Sequence, residues 1–229
     1  MNPSEPDHRD PAHVNETLNQ LAAASRPSEL RVLFEEHPEV LTDRVEHALE
    51  ATIGQLTAAA RLIANCRIVG VDALMGALKR ATVDGPEAVD ARKIFEYVHQ
   101  ALAEYLNTGD PDVLAALTDA VAYAYIVIPV GSLQAVFSEA LGVVLRQHFV
   151  TTGDESALTR AARALRLAVA DADENSPARI SHLSNLGNAL RTSASVHDSP
   201  ELLAESRGHP AHRARPRLLQ RAAFGRREP

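Results

Sequence analysis

The residues able to do covalent chemistry are few and poorly grouped. Cys66 is the single cysteine. A nucleophilic thiolate needs a positioned base, and Cys66 stands between Asn65 and Arg67 with no His near it in sequence. A lone, apolar-flanked Cys reads as a small core residue. Ten His residues are present, but none has the His-Glu-x-x-His or paired-Cys spacing of a zinc site. His8-Arg9-Asp10 copies part of a kinase catalytic loop, without the Gly-rich loop or downstream metal-binding Asp that phosphoryl transfer requires. Asn15-Glu16-Thr17 fits a glycosylation acceptor, which matters only in a secreted chain. No Gly-rich stretch has the spacing of a phosphate cradle. The expectation is a chain without catalytic residues, cofactor or metal.

Recognition chemistry is better represented. Asn185, Asn188 and Arg191 follow one another at three-residue spacing, which places them on one face of a helix. Their equivalents 45 residues earlier are Ala140, Val143 and Arg146, so only the Arg recurs and no ligand ladder is repeated. These four polar residues, Asn185, Asn188, Arg191 and Arg146, form a candidate peptide-binding face. The plainer role is a solvated helix face with one Asn bonded to a neighbouring turn. A rival from another class is an enzyme whose site assembles from scattered residues such as His99, His148 and Glu139.

The elements that must carry these residues are announced by repetition. Leu141-Gly142-Val143-Val144-Leu145-Arg146 returns 45 residues later as Leu186-Gly187-Asn188-Ala189-Leu190-Arg191, and Thr152-Gly153-Asp154 echoes Thr108-Gly109-Asp110 at a spacing of 44. Leu114 and Leu158, and Tyr105 and Phe149, match at the same spacing. Self-similarity of this period predicts stacked helix pairs, each covering the apolar stripe of its neighbour. Ala88 to Asn107 predicts a helix with Ile94, Phe95, Val98, Leu102 and Leu106 inward. Gly109 is its C-terminal cap, and Asp110 with Pro111 starts the next helix, which carries Val113, Leu114, Leu117 and Val121 and weakens at Ile126 to Pro129. Helices are then expected near Ser132 to Val150, through Leu158, Ala161, Leu165 and Ala168, from Ser176-Pro177 through Leu183, Leu186 and Leu190, and from Ser199-Pro200 to about Ser206. Gly142 and Gly187 fall inside helices, where Gly costs about 1 kcal/mol relative to Ala. Close helix–helix approach is the expected return.

Before Pro86 the rhythm is less regular. A short helix is expected at His13 to Ser25, with Val14, Leu18 and Leu21 on one face. A second is capped by Ser28 and carries Leu30, Leu33 and Phe34 up to Pro38. A long one runs from Thr42 to about Ala64 through Val45, Leu49, Ile53, Leu56 and Leu62. Cys66 to Val71 is ambiguous, Asp72 to Ala81 is helical, and Val83-Asp84-Gly85-Pro86 is a break. The domain reading is a disordered N-terminus at 1–12, an N-terminal helical region at 13–85, a helical repeat region at 86–206 and a basic, disordered tail at 207–229.

Composition agrees with an all-α core. Hydrophobic residues make up 45% and aromatics only 4%, with no Trp, so Leu, Ala and Val must fill the interior. The tail from Arg207 holds seven Arg and one Glu, a charge of +6, which leaves −13 on residues 1–206 of the overall −7. An acidic body disfavours nucleic acid and anionic membranes, so nucleic acid is not expected except through the 207–229 tail. One cysteine permits no intrachain disulfide. No stretch approaches the roughly 20 apolar residues of a membrane span, and Met1 to Asp10 has no signal-peptide character. A cytoplasmic chain without membrane contact is expected.

At Leu183-Ser184-Asn185-Leu186-Gly187-Asn188-Ala189-Leu190-Arg191 the pattern resembles the repeat unit of long tetratricopeptide-like arrays in bacterial proteins, many of which end in a CHAT (caspase-like peptidase) domain. Thr152-Gly153-Asp154 and Ala161 to Val169 resemble the turn and second helix of that unit, and Phe34 to Leu41 the segment that often precedes such arrays. The resemblance covers Ser28 to Ser206, most firmly from Ser138. It implies an all-α fold of antiparallel helix pairs stacked into a superhelix with a period of about 44–45, and a non-enzymatic scaffold binding a protein or peptide. The ordinary repeat is shorter, about 34 residues, its Trp and Tyr positions are missing, and the CHAT domain is absent, so no peptidase activity carries over. The tail reads either as a basic arm or as the product of a lost reading frame that cuts the last repeat short. The second is the favoured expectation, with a non-functional fragment of a larger CHAT-type protein as its extreme form.

Overall fold

The computed structural model describes residues 16–17, 20–21, 24, 27–41, 58–84 and 90–208, and every element among them is helical. In chain order these are α1 (Pro27–Glu36), a 3-10 turn (Pro38–Leu41), α2 (Ala58–Val69), α3 (Val71–Asp84), α4 (Ala91–Thr108), α5 (Pro111–Val127), α6 (Ser132–Thr152), α7 (Glu155–Asp171), α8 (Pro177–His197) and α9 (Pro200–Gly208). Glu16, Thr17, Gln20 and Leu21 are also helical. Much of the early reading, including Val14, Leu18, residues 42–57 and 85–89, and both terminal segments apart from Arg207 and Gly208, lies outside the described residues.

The Thr-Gly-Asp echo is a repeat of structure, bond for bond. After α4, Gly109 takes the left-handed conformation (φ 68°) and its N–H donates to Tyr105 O. Thr108 Oγ1 donates to Glu104 O and accepts from Asp110 N–H, and Asp110 Oδ1 accepts from Asp112 N–H at 2.9 Å. After α6, Gly153 (φ 77°) donates to Phe149 O, Thr152 Oγ1 bonds His148 O and Asp154 N–H, and Asp154 Oδ1 accepts from Ser156 N–H at 2.9 Å. Each turn thereby satisfies backbone groups that a helix end leaves unpaired. A looser variant, without the Thr bridge, follows α8. There Asp198 holds the left-handed position (φ 49°), donates to Ala194 O, and is followed by Ser199, whose Oγ accepts from Leu202 N–H.

These turns fold the chain into antiparallel pairs, α4 with α5 and α6 with α7, followed by α8 with α9. The contact of α6 with α7 is the most extensive among the described helices, and Gly142 permits it. A Cβ there would lie 2.6 Å from Leu165 Cγ and 3.2 Å from Ala161 O. Leu117, Val121, Leu141, Leu145, Leu158 and Leu165 are fully buried between the pairs. Leu186, Ala189 and Leu190 of α8 close over Ala162 and Leu165, with Leu202 of α9 packed alongside.

Several expectations need correction. Leu106 is 49% exposed; Tyr105, one residue earlier, takes the inward place. Ser28 lies within the first turn of α1, which starts at Pro27, and does not cap it. The ambiguous Cys66–Val71 stretch completes α2 as far as Val69, and Gly70 (φ 92°) separates it from α3.

The N-terminal helices are not a further pair in the stack. α2 packs on α3, α5 and α7, and α3 packs on α1 and α5, so α2 lies across the second helices of the first two pairs and α3 against that of the first. A polar clamp fixes α2 there. Arg61 donates to both carboxylate oxygens of Asp171 at the end of α7 and, at 2.8 Å, to Gln134 Oε1 at the start of α6. Gln134 in turn donates to the carbonyls of Tyr125 and Ile128 at the end of α5. At the other end of α2, Arg160 Nε of α7 donates to Ile68 O at 2.7 Å.

Candidate functional site

Outside that clamp, four polar side chains converge where α6 meets α8. Glu139 is the single charge in the apolar run Ser132 to Leu145. Its Oε1 accepts from Ser181 Oγ and from Asn185 Nδ2, each at 2.7 Å. Its Oε2 lies 3.1 Å from His182 Nδ1, close enough for an ion pair but off the line of a good hydrogen bond. His182 is 1% exposed and Glu139 about one-fifth exposed, so the imidazole is floor and the carboxylate is rim. Burial alone would raise the Glu139 carboxyl; the His182 ring and the Ser181 hydroxyl, with a smaller part from Asn185, outweigh it and hold the group below the usual carboxylate range.

A Ser, a His and a Glu meet here, but not as a relay. In a Ser–His–acid relay the imidazole stands between hydroxyl and carboxylate. At this site the carboxylate is the hub: exposed Ser181 meets its Oε1 and buried His182 lies against its Oε2, and no contact between the two neighbours is seen among the described residues. The arrangement ties two helices together.

The four residues of the candidate face are only partly brought together. Asn185 is committed to Glu139. Asn188 Oδ1 accepts from Arg191 Nη2, and both are half-buried on α8. Arg146, half-buried on α6 like Arg191 on α8, makes no hydrogen bond or ion pair among the described residues. Glu139 and Asn185 mark the crossing of α6 with α8, and Arg146 and Arg191 lie about 10 Å further along their own helices. The scattered enzyme reading fares worse. Glu139 and His148 are nine residues apart on α6, about 13 Å along the axis. His148 Nδ1 is held by Tyr105 OH at 2.8 Å, while His99 stacks on Phe95 within α4 and its Nδ1 meets Phe95 O at 3.0 Å. The three residues stand in separate settings.

Ser181 and His182 escaped the sequence reading, and Glu139 entered it only as a scattered candidate. The available signal was the isolated carboxylate in an apolar run, with Ser181 and Asn185 one turn apart on the equivalent helix. Cys66 is buried and its thiol is pushed up to about 12 by that burial, which leaves it protonated and unreactive at neutral pH. Among the described residues no group of three or more His, Cys, Asp or Glu converges as a metal site would require, and no helix is long and apolar enough to cross a membrane. No protein-family model matches the chain, and no curated protein or solved structure matches it.

Proposed function

We propose that the chain is a non-enzymatic interaction scaffold of the tetratricopeptide-like kind, and that it presents the joined surface of α6 and α8 to a protein or peptide partner. One observation carries the reading: the equivalent helices α6 and α8 are bridged by Glu139 with Ser181 and Asn185, and about 10 Å further along α6 stands a half-buried Arg146 with no hydrogen bond or ion pair among the described residues. A guanidinium without a partner among the described residues suits recognition of a carboxylate or a backbone carbonyl, because its donors sit in a fixed fork. Rigid helices hold such groups with little ordering on binding. The hub geometry of Glu139 supports a structural role for the Ser181 and His182 pair over a hydrolytic one.

Affinity capture from an extract of the source cells tests this with wild-type chain and an Arg146→Glu/Arg191→Glu variant of unchanged thermal midpoint. A partner retained by the first and lost from the second is expected. Equal retention by both, or substrate turnover by the purified chain that disappears in Glu139→Gln, would contradict the proposal.

A further inference from the structure

A second surface, away from the α6–α8 seam, has the make-up of a recognition groove. It lies between α3, α4 and α5 and is lined by Arg80, Lys93, Ile94, Tyr97, Ala120 and Tyr123, with a volume of about 310 Å³. That is at the lower end of ligand pockets, enough for the side chains of a docked segment and too small for a large cofactor. Tyr97 is 47% exposed, an unusual position for a large ring that core packing could have used. The Arg80 guanidinium sits 5.5 Å from the centre of the Tyr123 ring and donates to the Asp119 carbonyl, and no carboxylate pairs with it among the described residues. Lys93 reaches Asp90 only at 3.7 Å, with both side chains in solvent, a pair of little strength. Two weakly engaged cations thus flank two tyrosine rings, in a chain whose first 206 residues carry −13.

From this we infer that the groove between α3, α4 and α5 binds an acidic segment of a protein partner in which a carboxylate side chain adjoins an aromatic or apolar one. The carboxylate meets Arg80 and Lys93, and the apolar neighbour lies on Tyr97, Tyr123 and Ile94. Tyr and Arg are the residue types enriched where interfaces concentrate their energy, and a guanidinium already resting on a ring offers its free edge to an anion. Arg80 and Lys93 supply the attraction for the acidic side chain of such a segment. This surface is distinct from the α6–α8 face and does not depend on it.

The experiment uses the full chain labelled with 3-fluorotyrosine and followed by fluorine NMR. There are four tyrosines; Tyr97 and Tyr123 line the groove, while Tyr105 and Tyr125 are buried and report the fold. The probe is a capped peptide with a Phe flanked on both sides by Asp-Glu. Titration is expected to move the Tyr97 and Tyr123 signals and leave the other two in place. The affinity should fall about tenfold or more in Arg80→Glu/Lys93→Glu, and fall as salt is raised. Tyr97→Ser, a change at an exposed site, should also weaken binding. The inference is overturned by unmoved Tyr97 and Tyr123 signals at millimolar peptide. It is equally overturned if a peptide with Gln for each acid, or one with Gly for Phe, binds as well, or if binding survives the double reversal with the Tyr105 and Tyr125 signals intact. Because Arg146 and Arg191 take no part, Arg146→Glu/Arg191→Glu should bind the probe normally, so failure here leaves the α6–α8 proposal standing.

Discussion

A carboxylate inside an apolar stretch of helix must be met by donors, and Glu139 is met by three side chains from the neighbouring α8. Its carboxyl is held below the ordinary Glu value, so the unfolded chain binds this proton more tightly than the folded one. The stability it contributes is therefore complete above the unfolded value and lost as pH falls through the folded one. Urea unfolding midpoints should drop on acidification below about pH 4.3, and Glu139→Gln should show a shallower drop. Identical acid dependence in the two proteins would show that the bridge does not titrate as described. The Glu139 bridge was only faintly legible in the sequence: the isolated carboxylate marked one end, but its partners lie more than forty residues away, and the repeat spacing pairs helices without saying which side chains bond across them.

At the scale of the helix pair, local chemistry was readable because its causes are local. Asp110 with Pro111, Gly109 and Gly153 announced their caps through residue type and position, and the structure places each there. The third turn was harder to see, since Asp198 stands where the other two have Gly. A non-Gly residue at φ 49° is strained, and a carboxylate at a helix C-terminus opposes the helix dipole. Asp198→Gly should therefore raise the unfolding free energy by about 0.5–1 kcal/mol; a loss of stability in thermal melts would contradict the turn assignment. Gly142→Ala runs the other way. Helix propensity favours Ala by about 1 kcal/mol, but the new Cβ would meet Leu165 Cγ at 2.6 Å with Ala161 O behind it. Overpacking of this kind costs about 1–3 kcal/mol, so net destabilisation is expected, and a more stable variant would mean that α6 and α7 do not approach so closely.

Across the whole molecule, stacking alone does not describe the fold. In a linear array each unit touches only its neighbours, whereas α2 reaches α7 through a pair 110 residues apart, Arg61 and Asp171. Hydrophobic spacing predicted α2 in part, but nothing in it says where the helix docks, and Arg61 had no mark beyond being a charge among Ala, Leu and Ile. The Asp171 side chain is 3% exposed and that of Arg61 13%. Asp171→Ala would leave a desolvated guanidinium and should cost about 3 kcal/mol or more, while Arg61→Met/Asp171→Leu should recover most of it. A cost below about 1 kcal/mol for the single change would mean that α2 is not clamped through this pair.

The Glu139 bridge joins α6 to α8, and the proposed function rests on that joined surface meeting a partner. Site-specific photocrosslinking tests this most directly. With p-benzoylphenylalanine in place of Asn188, irradiation in source cells should yield one discrete adduct that disappears when Arg146 and Arg191 are reversed to Glu, whereas the same probe in place of Val32, exposed on α1, should not yield it. The same adduct from both positions, or an adduct indifferent to the charge reversal, would contradict the account.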